Sequence, residues 1–313
     1  MKNRKRTLRA PKRSATALDF AIKQFETKGK KQDKYYNFNG AYHRRYYNYM
    51  DNETWDAFIL EMKGNYPLAW AEYSLAYGEE LKGKHGHPPK MASYGSSSRM
   101  IYLLSRKILN FQFEYKLHTT IGGSYAYLDG YLFRNGTNFY IEAKCREPYD
   151  FKKQPIPAAY KELYEHLTAV AIGFASKIVE YDDGRLNVDF YIQEKKIKLF
   201  DLKQTICHLL GIAAYNLKYP TNEKTHFVYL LYNPSAVEEY IEPKYRNEIF
   251  KIYNTELMEC HSIPMRELYG AIMNYLHKVK TIGSASDDEV KAMIDSFSFD
   301  CCDQKGYKKL LHK

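Results

Sequence analysis

The clearest two-residue period in the chain runs from Phe111 to Lys144, and it predicts three consecutive strands. Phe113, Tyr115 and Leu117 alternate with Gln112, Glu114 and Lys116, so residues 111–119 read as a strand with one polar face. In the next run Leu128, Gly130 and Leu132 fall on one face and Asp129 on the other. Asn135-Gly136 then turns the chain back, because this dipeptide accepts the positive φ angles of a tight hairpin. In the returning strand Phe139, Ile141, Ala143 and Cys145 share the apolar face, which leaves Glu142 and Lys144 together on the other. The flanking segments carry a helical period. Helices are predicted over 53–63 and over 68–82 after the Tyr66-Pro67 break. A third, over 99–109, has caps offered by Ser96, Ser97 and Ser98. Pro155 and Pro157 introduce a helix over 158–180, followed by a short strand over 186–193. The stretch 201–217 carries two stripes at helical spacing, Leu202/Ile206/Leu209/Ala213 and Gln204/His208/Gly211/Tyr215. Residues 225–232 read as a buried strand, 244–258 and 265–279 as amphipathic helices, and Ser286 caps a last one.

The strand pattern brings Asp129, Glu142 and Lys144 to one place. Two carboxylates supply the hard oxygen ligands that Mg²⁺ prefers, and a lysine beside them stays protonated and can orient a water or offset charge on a phosphoryl group. The alternative for such a triplet is an ordinary solvated strand face. With these residues in place the chain resembles the PD-(D/E)XK nuclease superfamily, whose signature is an Asp on one strand and Glu-x-Lys on the next; Leu128 stands where that motif has its Pro. The resemblance implies an α/β (α+β mixed) fold: a restriction-endonuclease-like αβββαβ core with a central mixed four-stranded sheet and helical N- and C-terminal additions. It implies a metal-dependent endonuclease that hydrolyses DNA phosphodiester bonds. Asp129 and Glu142 would hold Mg²⁺, for which Mn²⁺ can substitute, the Ala143 carbonyl would complete the site, and Lys144 would position the attacking water. The family's glutamine from the following helix corresponds to Gln204, with His208 one turn on. The predicted first core helix contains no acid, which leaves Glu114 as the candidate third carboxylate.

On this reading residues 1–45 are a basic, partly disordered arm and 46–96 a helical accessory region. Residues 97–234 form the nuclease core, with an insertion at 150–198, and 235–313 form a C-terminal helical region. The helices of that last region can cover the sheet, contact DNA or form a homodimer interface, and the sequence does not choose among them.

Charge sharpens the picture at one end of the chain. Of the net +10, residues 1–45 hold +11, from 14 Lys and Arg against Asp19, Glu26 and Asp33, so the remainder carries −1. Such a segment reads either as a solvated tail or as an arm that neutralises phosphates through Arg4, Lys5, Arg6, Arg9, Lys12, Arg13, Arg44 and Arg45. Charge alone does not choose between these; beside the nuclease resemblance the arm is favoured, and the resemblance implies DNA, duplex before RNA or branched forms, as the partner. The five cysteines form no Cys-x-x-Cys pair, and no run approaches the roughly 18–20 apolar residues of a membrane span. A cytoplasmic protein without a membrane partner is expected. A second reading from a different class keeps the fold and loses the chemistry: a non-catalytic nucleic-acid-binding or assembly protein.

Overall fold

The computed structural model describes residues 13–26, 37–38, 41–42, 49–76, 80–83, 88–149, 156–180 and 185–311. The chain begins with α1 (Arg13–Glu26) and a two-residue ladder of β1 (Asn37–Phe38) with β2 (Ala41–Tyr42), then α2 (Asn52–Asn65), α3 (Pro67–Leu75) and α4 (Ser97–Ser105). Three strands follow, β3 (Gln112–His118), β4 (Tyr125–Arg134) and β5 (Thr137–Lys144). Next come β6 (Ile156–Pro157), α5 (Lys161–Val170), β7 (Phe174–Glu180), β8 (Arg185–Ile192) and β9 (Lys195–Lys196). The last part holds α6 (Leu202–Lys218), β10 (Lys224–Leu231), α7 (Pro243–Ser262), α8 (Met265–Asn274), α9 (Asp287–Asp295), β11 (Phe297–Cys302) and α10 (Gln304–Leu311).

The fold is mixed α/β. Its central sheet has the order β11-β10-β5-β4-β3, with β3, β4 and β5 antiparallel in sequence and β10 parallel to both β5 and β11. The predicted Asn135-Gly136 turn joins β4 to β5, and both residues adopt positive φ, 50° and 71°. The sheet has five strands where four were expected. The fifth, β11, was legible as Phe297, Phe299 and Cys301 alternating with Ser298 and Asp300, and it buries the Phe297 ring against Tyr269 of α8.

The helix expected over 158–180 is instead α5 followed by β7. Gly173, at φ 74°, turns the chain after the helix, and Phe174 to Glu180 then pairs along its whole length with β8. The helix is capped at Ala171, and Gly173 takes the positive-φ position of the turn that follows, in which the Phe174 amide donates to the Ala171 carbonyl at 3.1 Å. The helix expected to reach residue 82 ends at Leu75, and Ala76 caps it in an extended conformation. Residues 13–26, assigned to a partly disordered arm, contain α1, which buries Leu18, Ala21 and Ile22 and packs against α7 and the 3-10 segment Pro234–Tyr240.

Helix α6 lies against β3 and β4, and α4 against β4 and β5. The approach of α6 requires glycine at 211, because a Cβ there would stand 3.0 Å from the Cβ atoms of both Leu117 and Ala126. The N-terminus of α6 is held from two directions. Asp201 caps it by accepting the Gln204 amide at 3.0 Å. The Glu259 carboxylate on α7 accepts the amides of Lys198, Leu199 and Phe200 at 3.0, 2.7 and 2.9 Å. The first turn of α6, which carries Gln204, thus starts from an anchored loop.

Candidate active site

Pairing between β4 and β5 runs from Arg134↔Thr137 to Gly130↔Ile141 and stops there. Where the next rung would bring Asp129 opposite Glu142, the Asp129 carboxylate takes over the ladder's role and accepts the Ala143 amide through Oδ2 at 2.7 Å. The strands splay at this point, and the opening is the floor of a cleft of about 800 Å³. Asp129, Glu142, Lys144, Gln204, His208 and Glu114, each singled out from the sequence, all line it.

Lys144 and Glu142 are 6% and 3% exposed, a depth at which a charge needs a partner. Lys144 Nζ stands 2.8 Å from Glu142 Oε1 and donates to Gln204 Oε1 at 2.5 Å. Burial alone would lower the lysine's pKa, but the carboxylates of Glu142, Glu147 and Asp201 prevail and hold it above its ordinary value, so it is an ammonium. For Glu142 the balance is different. Burial pushes its carboxyl up to about 7 even against the attraction of Lys144. Its other oxygen, Oε2, lies 3.6 Å from His208 Nδ1. Burial first, and Lys144 second, drive His208 down to about 3, so the imidazole is neutral. Its ring bonds the Tyr127 backbone, while Nδ1 is buried with no hydrogen-bond partner. Asp129 is raised well above the carboxylate range by desolvation and then by Glu142 and Glu114.

Glu114 occupies the position facing Asp129, between the pairs Phe113↔Gly130 and Tyr115↔Leu128. It has φ 52°, a conformation that costs a non-glycine residue on the order of 1–3 kcal/mol. The strand changes face here. Phe113 packs on Tyr73 of α3 and Tyr102 of α4, whereas Leu117, which a regular strand would place on the same side, meets Gly211 of α6. The uninterrupted polar face predicted for Gln112, Glu114 and Lys116 is therefore broken at Glu114. Burial, then the Glu80 and Glu142 carboxylates, push Glu114 up to about 8, while Lys90 and a hydrogen bond from Ser98 pull against this.

Glu80 was missed. It lies in the predicted helix over 68–82, but in the structure it follows the end of α3 and reaches the cleft, 6% exposed, with Oε1 3.1 Å from Lys90 Nζ. No local signal marks it, since its relation to Glu114 joins positions 34 residues apart in sequence.

Among the described residues no three His, Cys, Asp or Glu side chains are grouped closely enough to hold a metal ion. A Mg²⁺-type ion asks for less, because it keeps several waters and needs one or two carboxylates. Asp129 and Glu142, with the Ala143 peptide between Glu142 and Lys144, match that hard-oxygen chemistry. Of the expected nucleic-acid contacts, Arg4, Lys5, Arg6, Arg9, Lys12, Arg44 and Arg45 lie outside the described residues, and Arg13 is described only as the first residue of α1. None of the described helices is long and apolar enough to cross a membrane. No protein-family model, curated protein or solved structure matches the chain.

Proposed function

We propose that the chain is a Mg²⁺-dependent endonuclease with a restriction-endonuclease-like αβββαβ core of the PD-(D/E)XK kind, acting on phosphodiester bonds of DNA. The observation that carries this reading is the splayed end of the β4–β5 hairpin, where Asp129 binds the peptide linking Glu142 to Lys144 while Lys144 is held between Glu142 and Gln204. The order α4, β3, β4, β5, then α6 and a β10 parallel to β5, supports it further.

Asp129, Glu142 and the Ala143 carbonyl would hold the cation. When bound, it supplies positive charge against the phosphoryl oxygen and acidity to a water. The protein's own groups do the rest. A lysine ammonium has three N–H donors, and here two face Glu142 and Gln204, which leaves the third to orient a water or a phosphate oxygen. Gln204 sets the direction of that donor, and the Asp201 cap sets Gln204. Neutral His208 presents an acceptor nitrogen towards Glu142 and adds no competing positive charge at the cation's ligand. Lys90, Arg146, Lys198 and Lys203 line the same cleft and surround the acidic floor with cations suited to a phosphate backbone.

The test is incubation of the purified protein with duplex, branched and single-stranded DNA and with RNA, in Mg²⁺, Mn²⁺ or EDTA. Cleavage that requires the cation and disappears in Asp129→Ala is expected. Cation-independent cleavage, none across the panel, or wild-type rates in the variant would contradict the reading.

A further inference from the structure

The β3–β4 hairpin continues beyond the acidic floor to a second group of side chains. Its last three cross-strand pairs are Lys116↔Tyr127, Leu117↔Ala126 and His118↔Tyr125. Lys116 Nζ stands 3.8 Å from the centre of the Tyr125 ring and 5.5 Å from that of Tyr127. The His118 ring meets Tyr125 edge-on at 5.0 Å, and the two tyrosine rings are 6.3 Å apart. Tyr125 and Tyr127 both line the cleft, yet Tyr125 keeps 43% of its surface exposed. A large aromatic ring held by a cation and an imidazole, but left open towards the cleft, is placed to bind something flat.

The hairpin tip behind it is braced. The Thr119 amide donates to the Ser124 carbonyl at 3.1 Å, the Thr119 and Ser124 hydroxyls are 2.6 Å apart, and Ser124 Oγ reaches Tyr160 OH at 2.5 Å. Tyr125 therefore starts from an anchored backbone, and little ordering entropy is lost on binding. Asp129 lies four residue steps further along the strand, roughly 13 Å at the usual rise.

We propose that Tyr125, backed by Lys116 and His118, is a stacking platform for an unpaired nucleobase, and that the cleft takes a strand whose bases are free on that side of the cleaved bond. This rests on the nuclease reading and narrows its substrate from duplex DNA to single-stranded, flapped or branched nucleic acid. A paired base has both faces covered by its neighbours, whereas every unpaired base offers a π-face that an aromatic side chain can take irrespective of sequence. Lys116 adds the positive charge that draws the attached phosphate. The platform lies a few nucleotides from the carboxylates.

The test needs no cleavage. The anisotropy of a fluorescent 20-mer of deoxythymidine is compared with that of an abasic 20-mer of equal charge, in EDTA, for the wild type, Tyr125→Ala and Tyr125→Phe. The wild type is expected to prefer the base-bearing strand by about fivefold or more. Tyr125→Ala should lose that preference with an unchanged melting temperature, and Tyr125→Phe should keep it. Equal binding of the two strands by the wild type, or an unaltered ratio in Tyr125→Ala, would overturn the platform. If the preference holds but no cation-dependent cleavage is found, the nuclease reading fails and the platform stands.

Discussion

The two ends of the β4–β5 hairpin are built from the same strands and could hardly differ more. At the turn end every rung is paired, two residues with positive φ, Asn135 and Gly136, close it, and the Gly136 carbonyl accepts the Lys224 amide of β10 at 2.9 Å. At the other end the ladder stops at Gly130↔Ile141, a side-chain carboxylate replaces a backbone carbonyl, and three further acids and a lysine crowd the gap. The closed end satisfies its polar groups by regular ladder pairing and by neighbours such as Glu223, which accepts from Asn138 Nδ2 at 2.9 Å. The open end holds Asp129, Glu114 and Glu142 in environments that disfavour their charge, and Glu114 in a strained backbone as well. Charge and strain concentrated in this way make the open end the candidate functional site.

The contrast can be broken by exchanging what each end tolerates. The largest effect is expected at the open end, where Lys144→Ala should slow cation-dependent cleavage by at least about 10²-fold, as removal of a preorganised donor does. Cleavage rates at saturating cation measure it. Gln204→Ala leaves the ammonium in place and removes only its second acceptor, so a loss of about 10- to 100-fold is expected. Gln204→Glu, which restores an acceptor oxygen, should recover part of it.

Glu114 sharpens the comparison through pH. A carboxyl raised to about 8 in the fold contributes its full stability below the unfolded value and loses it as pH rises through 8. In EDTA the wild type should therefore lose stability between about pH 4.5 and 8.5, and Glu114→Gln should lose less. The variant should be the more stable by on the order of 2 kcal/mol at pH 8.5, the full shift being discounted for partial solvent access, with the two equal at pH 4. Urea midpoints at the two pH values report this directly. The smallest effect belongs to the closed end. A Cβ at Gly136 meets nothing within 4 Å, so Gly136→Ala carries only the conformational cost of positive φ, about 1 kcal/mol, and should leave cleavage rates unchanged.

The same contrast explains what could be read in advance. Alternation placed Glu142 beside Lys144, helical spacing placed His208 one turn after Gln204, and Asn135-Gly136 announced the turn, because each relation is local. Glu80 escaped notice because it reaches the cleft only through the packing of a segment after α3, and the local pattern there mimicked a helix. The face of β3 was misjudged because the reversal at Glu114 arises from a positive φ, and nothing in the residue type calls for one. Gly173 and the Phe297/Phe299/Cys301 alternation were visible signals. The first yielded to a longer helical period, and the second followed the helix expected from Ser286 and was given no element of its own.

The most direct measurement is nicking of supercoiled plasmid DNA carrying an extruded cruciform, in Mg²⁺ and in EDTA, by the wild type and Lys144→Ala side by side. The predicted result is relaxation by the wild type only when Mg²⁺ is present, with Lys144→Ala folded but inactive in both conditions. Equal nicking by the two proteins, or nicking by the wild type that survives EDTA, would contradict the assignment of cation-dependent chemistry to the open end of the hairpin.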